Sequence, residues 1–339
     1  MRVWELRAFD IASLALADRP PPAPGAGEVL VNIAAVTLNF RDLAIAAGLY
    51  APSQRLPMIP ASDAVGTVSA IGAGVTKWKV GDRVIGCYMQ TWDRGPSRPS
   101  DRRNTLGSPL DGVLCEQRVF PQDAVVAAPA SFTDDECAAL PIAALTAWCA
   151  LFEKGEARPG DTVLVQGSGG VSTFAIQIAA ASGLQVIAVS RSAQKLETAR
   201  KLGASILIDS TTTPDWSGAV LDLTQQKGAD LILDVGGQST IPRSLGAAAQ
   251  NGRIVSIGYL GGATPEVNLG QMITKNLTVR GVTVGSRTSF EDLLRFLDQN
   301  GIHALIDSVF GFEDAPQAFA RLASGEQQGK IAIRVRGRA

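Results

Sequence analysis

The sequence predicts an α/β protein in which a tightly turned, mostly β region is followed by a doubly wound parallel sheet. Three observations carry this. Residues 161–183 (DTVLVQGSGGVSTFAIQIAAASG) read as strand, glycine turn and helix. After them, apolar β-branched runs alternate with helical segments, the pattern of a parallel sheet with crossover helices. Before them, short β-branched runs are punctuated by glycine and proline, which favours turns over helices.

Taken in order, Trp4 to Leu16 reads as an opening strand or hairpin, and a Pro/Gly-rich connector runs to Glu28. VLVNIAAVTLN is an apolar strand, and FRDLAIAAGLY is a helical segment that ends at Tyr50. MIPASDAVGTVSAIGAGV and VGDRVIG supply further strands and turns, residues 89–109 a long polar loop, and DGVLCEQRVF another strand. Ser131 with Asp134 reads as a capping box opening a short helix, and a second helix spans Ala143 to Lys154. Strands LQVIAVS, SILIDS, LILDVGG, RIVSIGYLGG and LTVRGVTVG then alternate with helices SAQKLETARKLGA, AVLDLTQQKG and IPRSLGAAAQNG. Phe290 to Asn300 is an amphipathic helix, and the tail reads strand, helix, strand. The expected division is 1–130, 131–285 and 286–339, with the tail returning to the first region because its last strand needs a partner.

Composition narrows the function. The 339 residues allow about two domains, and 46% hydrophobic residues supply ample core. A net charge of −1 argues against nucleic acid or an anionic membrane as partner. No apolar run reaches the roughly 20 residues of a membrane span. The start, MRVWELRAFD, lacks the apolar core of a signal peptide, and Cys87, Cys115, Cys137 and Cys149 show no paired spacing, so a cytoplasmic protein with reduced thiols is expected.

The glycine turn is the functional centre. Gly167, Gly169 and Gly170 connect a strand to a helix N-terminus, where free N–H groups and the helix dipole converge on one point. A missing Cβ lets a pyrophosphate approach closely, which points to dinucleotide binding. Ser172 stands where the fingerprint has a third glycine, a position that requires only a small residue. The next strand ends Ser190-Arg191-Ser192, with Lys195 one helical turn on. An NAD site usually carries an acid there for the ribose 2′-hydroxyl, and none is present. Arg191 and Lys195 suit a 2′-phosphate, with Ser190 and Ser192 as hydroxyl donors, so NADPH is favoured over NADH.

Several segments carry a resemblance that spans nearly the whole chain. They are residues 27–31 (GEVLV), 39–42 (NFRD), 80–84 (VGDRV), 145–148 (LTAW), 160–163 (GDTV), 167–172 (GSGGVS), 201–204 (KLGA), 282–287 (VTVGSR) and 329–331 (GKI). In order and spacing the chain resembles the medium-chain dehydrogenase/reductase superfamily. The resemblance implies a GroES-like β-barrel domain plus a Rossmann domain, with the nicotinamide in the cleft between them, and a homodimer. It also implies that Asn39, Thr146, Gly169, Gly170, Val171, Gly258, Tyr259, Val282, Val284 and Lys330 belong to the cofactor site.

Catalytic zinc needs about three N, S or O ligands from the protein. By resemblance the superfamily's zinc ligands fall at Asn39, at Ser62 with Asp63, and near Ile142, and its four-cysteine lobe falls at residues 89–109, where this chain has no cysteine. No zinc is expected. Without it an alcohol or aldehyde oxygen lacks a strong polariser, whereas a conjugated C=C or a quinone already offers a low-lying acceptor. The expectation is an NADPH-dependent reductase of an enone, 2-enoyl thioester or quinone, as the resemblance to zinc-free quinone oxidoreductases and enoyl reductases implies. Tyr50 is the candidate proton donor, since a phenol of pKa about 10 can protonate an enolate; the alternative is that it packs on the cleft wall. Asn39 could hold the nicotinamide ribose or the substrate carbonyl, or form an Asx turn after the strand. Two other readings stay open: an alcohol or aldehyde dehydrogenase-like enzyme, and a non-catalytic NADPH-binding protein.

Overall fold

The computed structural model describes residues 1–335. Contacts divide the chain into two units: Met1–Ala143 with the described residues from Ser286 on, and Ala144–Gly285.

The first unit opens with a hairpin of β1 (Arg2–Leu6) and β2 (Leu14–Asp18). β3 (Glu28–Thr37) is the long central strand, followed by α1 (Phe40–Ala46). β4 (Asp63–Ile71), β5 (Arg83–Gly86), β6 (Gln117–Pro121) and β7 (Val125–Ala127) extend the sheet, and α2 (Asp134–Ala138) follows. The capping box of α2 lies two residues beyond the expected Ser131/Asp134 pair. Thr133 caps α2, and Glu136 reaches back to the Thr133 N–H at 2.8 Å, while Ser131 Oγ bonds Asp298 instead. The boundary after α2 also differs from the expected 130/131. Thr37 Oγ1 donates to Ala138 O at 2.8 Å and Arg83 Nε to Asp134 Oδ1 at 2.8 Å, so α2 packs on β3 and β5 of the first unit.

The helical stretch after α2 is continuous but irregular. α3 (Leu145–Trp148) lies between the π-helical turns Leu140–Ala144 and Cys149–Lys154. The second unit then alternates β8 (Thr162–Gln166), α4 (Gly170–Ala181), β9 (Gln185–Ser190), α5 (Ala193–Lys201), β10 (Ile206–Asp209) and α6 (Trp216–Leu223). β11 (Ala229–Asp234), α7 (Ile241–Ala247), β12 (Ala248–Ser256), α8 (Leu269–Thr274) and β13 (Thr278–Gly281) complete it. All six strands are parallel in the order β10-β9-β8-β11-β12-β13. This is the 3-2-1-4-5-6 order of a Rossmann sheet, with its switch point between β8 and β11. Leu164, Ile187, Ile232 and Ile254 form the middle of its core.

The tail comprises α9 (Arg287–Asn300), β14 (Ile306–Gly311), α10 (Ala315–Ala323) and β15 (Lys330–Arg334). β15 pairs antiparallel with β3, and β14 extends the sheet beyond it, so the last strand does return to the first unit. The resulting seven-stranded sheet runs β14-β15-β3-β4-β5-β7, with β6 on β3. Ile33, Leu114, Phe120 and Phe319 fill its core. No helix of the described residues is long and apolar enough to cross a membrane.

Candidate functional site

In the first unit, strand register gathers the polar cluster. Thr37, at the end of β3, pairs with Asp63 of β4 on one side and with Ala332 of β15 on the other. Asn39, two residues on, therefore lies between the first residues of those strands, Asp63 and Lys330, and caps α1. Its backbone N–H donates to Asp42 Oδ2 at 2.8 Å. Its Nδ2 donates to Asp63 Oδ2 at 2.9 Å, and its Oδ1 accepts from Lys330 Nζ at 2.6 Å. Lys330 Nζ also donates to Asp63 Oδ2 at 3.3 Å. Asp42, Asp63 and Lys330 are all at most 3% exposed. Burial pushes Asp42 up to about 6 against the pull of Arg41, pushes Asp63 up against the pull of Lys330, and draws Lys330 down.

Beside this cluster Arg41 lies between two phenol rings, its Cζ 5.0 Å from the Tyr50 centroid and 4.8 Å from that of Tyr88. Its NH1 donates to Leu106 O at 3.0 Å and its NH2 to Ser108 O at 3.3 Å. Arg41 NH1 also lies 3.9 Å from Asp42 Oδ1. Tyr50 lies beyond α1 and is 45% exposed, whereas Tyr88 is buried, and burial pushes its phenol up. In the polar loop of residues 89–109, Arg98 N and Thr91 Oγ1 donate to the buried Asp101 at 2.7 and 2.8 Å.

In the second unit the glycine turn sits at the C-terminal end of β8. Gly167 has φ +77°, which a residue without Cβ adopts freely. Gly169 has open space where a Cβ would stand, and the amides of Gly169, Gly170 and Val171 open the 12-residue α4. Ser172 Oγ donates to Gln166 O at 2.6 Å, so the small residue in the third-glycine position also ties α4 to β8. The ends of β8 and β11 are pinned by buried Asp234. It accepts from Gln166 Nε2 at 3.0 Å, Ser244 Oγ at 2.6 Å, the Gly237 N–H at 2.9 Å and Thr240 Oγ1 at 2.7 Å. This network fixes the strand ends at the switch point, where an α/β sheet binds its ligand.

Ser190 is buried at the end of β9, Arg191 is exposed, and Ser192 caps α5 by accepting the Lys195 N–H. Among the described residues no ion pair holds Arg191. Tyr259 packs its backbone on Gly237, whose added Cβ would stand 2.8 Å from Tyr259 Cα, and Gly258 lies against Val235 O. Thr146, Val282 and Val284 are buried. Val284 has φ +133°, rare for a β-branched residue. Gly285 after it packs so closely on α3 that a Cβ would meet Cys149 Sγ at 2.5 Å.

Comparison with known proteins identifies the ensemble. Residues 25–130 match the model of the alcohol dehydrogenase GroES-like domain, and residues 170–299 that of the zinc-binding dehydrogenase. A zinc-type alcohol dehydrogenase-like protein of Schizosaccharomyces pombe is 37% identical over 91% of both chains. A quinone oxidoreductase of Pseudomonas aeruginosa is 31% identical over 93% of this chain and 94% of that one. The crystal structure of an NAD-dependent alcohol dehydrogenase superposes with a TM-score of 0.92 at 32% identity, covering 99% and 100% of the two chains. The chain belongs to the medium-chain dehydrogenase/reductase superfamily. It is an oxidoreductase built from a GroES-like domain and a Rossmann sheet, and the comparisons support a nicotinamide cofactor. The open cradle at Gly169 and the amides of α4 fit the pyrophosphate of such a cofactor.

Zinc, which the superfamily's names imply, does not fit. Asn39, Ser62, Asp63 and Ile142 bring one amide, one hydroxyl, one carboxylate and one alkyl side chain, and the Lys330 ammonium already occupies Asn39 Oδ1 and Asp63 Oδ2. Among the described residues no group of three or more His, Cys, Asp or Glu could hold a metal ion.

Sequence reasoning named Asn39 and Lys330 but missed that they touch, and it passed over Tyr88, Asp234 and Gln166. The only local signal was charge at the head of apolar strands, Asp63 before AVGTV and Lys330 before IAI.

Proposed function

We propose that the protein is an NADPH-dependent reductase that delivers hydride to an activated C=C (enone or 2-enoyl thioester) or a quinone without zinc. The observation that carries this is the cationic end of β9. Arg191 stands where an NAD site has an acid, beside a glycine turn whose amides suit a pyrophosphate. When bound, the nicotinamide supplies a hydride. In this reading the amides of Gly169 to Val171 hold the pyrophosphate, while Ser190, Arg191 and Lys195 hold the 2′-phosphate. Thr146, Gly258, Tyr259, Val282 and Val284 form the wall. Hydride addition to the β-carbon of an enone moves the π electrons toward the carbonyl oxygen, and Tyr50 returns a proton at the α-carbon. The name of the Pseudomonas aeruginosa relative supports quinone reduction.

The alcohol dehydrogenase reading has two relatives' names on its side. It requires a Lewis acid at the position where Lys330 meets Asp63, and that argues against it. The test is a fluorescence titration with NADPH and NADH, followed by addition of 1,2-naphthoquinone or cyclohexenone. Tight binding of NADPH, weak binding of NADH and oxidation by either acceptor are expected. Binding with no turnover on any enone, thioester or quinone would leave a nucleotide-binding protein. Binding of neither nucleotide would remove the proposal.

A further inference from the structure

Asn39 is held from three directions by groups that leave it no choice of orientation. A carboxylate only accepts hydrogen bonds and an ammonium only donates them. Asp63 Oδ2 at 2.9 Å therefore demands the amide nitrogen, and Lys330 Nζ at 2.6 Å demands the amide oxygen. The backbone N–H is fixed separately by Asp42 Oδ2 at 2.8 Å. An asparagine that merely formed an Asx turn would need neither buried charge. Two carboxylates and one lysine, all nearly inaccessible to water, are costly to bury for a cap alone, since each charge gives up its hydration. The amide keeps one N–H that none of these groups uses, and the ammonium on its oxygen polarises it.

We propose that Lys330 and Asp63 are positioning residues that lock the Asn39 amide, and that its remaining N–H is the donor to the acceptor's carbonyl or quinone oxygen as that oxygen gains charge. The inference rests on the reductase reading for its chemistry but not for its geometry. Hydride adds at the β-carbon of an enone, the C=C pair becomes the enolate, its charge falls largely on the oxygen, and a proton at the α-carbon completes the saturated ketone as NADPH becomes NADP⁺. A fixed donor at that oxygen does in part what a Lewis acid would do, and Lys330 supplies its charge through the amide.

Two measurements test this. The first is steady-state kinetics of Asn39→Ala and of the paired variant Asp63→Asn/Lys330→Met, which removes both charges together and leaves none unmatched. Asn39→Ala should lower kcat about 100-fold with little change in NADPH affinity, as for loss of one oxyanion donor. The paired variant, with the amide present but free to turn, should lose about 10-fold in kcat at unchanged melting temperature. A folded paired variant that keeps the kcat and KM of the wild type overturns the proposal.

The second measurement does not depend on turnover. In protein carrying ¹⁵N-asparagine, the Asn39 side-chain signals are assigned by their loss in Asn39→Ala. One amide proton should lie downfield against Asp63, and cyclohexenone added with NADP⁺ should move the other. If both protons are equivalent, or if neither moves when the ligand is bound, the proposal falls. If the wild type binds no nucleotide, the reductase reading fails, and the signature of the locked amide is then judged on the free protein.

Discussion

Lys330 Nζ lies 2.6 Å from Asn39 Oδ1 although 291 positions separate them in the chain. The contact exists because β15 returns to pair with β3, bringing the tail's only buried lysine to the end of the strand that Asn39 follows. It joins a carboxylate, an amide and an ammonium at the positions where the superfamily resemblance puts zinc ligands. Elemental analysis of protein purified with zinc in the medium should therefore find well under one zinc per chain. Stoichiometric zinc that survives dialysis would mean that Lys330 swings away and that Asn39 and Asp63 turn to the metal.

Gly169 allows a clean test of the nucleotide cradle. Its φ of −74° suits any residue, and nothing lies within 4 Å of an added Cβ. Gly169→Ala should therefore fold with an unchanged Tm, while the methyl group occupies the space a pyrophosphate needs. NADPH affinity should fall at least about 10-fold, or about 1.4 kcal/mol, by titration. Undiminished binding would place the phosphates elsewhere. Gly167→Ala is a poor substitute, because a φ of +77° would strain the backbone whether or not a ligand binds there.

In the proposed function Arg191 selects between the two nicotinamide cofactors. It is exposed at the end of β9, so its contact with a 2′-phosphate is partly screened by water. Arg191→Ala should weaken NADPH about 10-fold and leave NADH unchanged, with the effect shrinking as salt is raised. An equal loss for both nucleotides would point to a general structural role for the strand end.

The features that were legible in the sequence are the local ones. The glycine turn, the cationic strand end and the strand–helix alternation each lie within about 30 residues, and glycine marks their boundaries. Features that depend on distant pairing or on competing local registers were not legible. Asp63 and Lys330 are 267 positions apart, and Gln166 and Asp234 are 68 apart. Ser131-x-x-Asp134 and Thr133-x-x-Glu136 both read as capping boxes, and only the longer glutamate side chain closes one. The π-helical turns around α3 break the 3.6-residue period on which helix reading relies. The short α8 carries no apolar stripe to mark it: Leu269 and Ile273 are 65% and 73% exposed, and Met272 packs on the core.

Tyr50→Phe separates chemistry from packing. The phenylalanine ring keeps its place on the Arg41 guanidinium, 5.0 Å away, and loses only the hydroxyl. If the hydroxyl donates the proton, kcat with an enone should fall about 100-fold or more while NADPH binding is kept. A quinone product can take its protons from water, so its loss should be smaller. Unchanged enone turnover would assign Tyr50 to packing alone.

Asp42 gives a pH signature in stability. Its carboxyl is pushed up to about 6 from 3.8, first by burial, with Arg41 and the Asn39 N–H pulling the other way. An acid whose folded-state pKa lies above its unfolded value holds its proton more tightly when folded. Asp42 therefore contributes no penalty below about pH 4, and its cost grows to full size as pH rises past about 6. The amplitude is on the order of 3 kcal/mol for a fully buried group. Asp63 shifts in the same direction, again by burial, so the wild-type curve alone does not isolate Asp42. Asp42→Asn keeps an acceptor for the Asn39 N–H and cannot ionise. Urea melts of the two proteins should show the variant gaining on the wild type between about pH 4 and pH 6, then holding a constant lead. A stability difference that stays flat across that interval would mean that Asp42 remains charged throughout, with Arg41 and the Asn39 N–H outweighing burial.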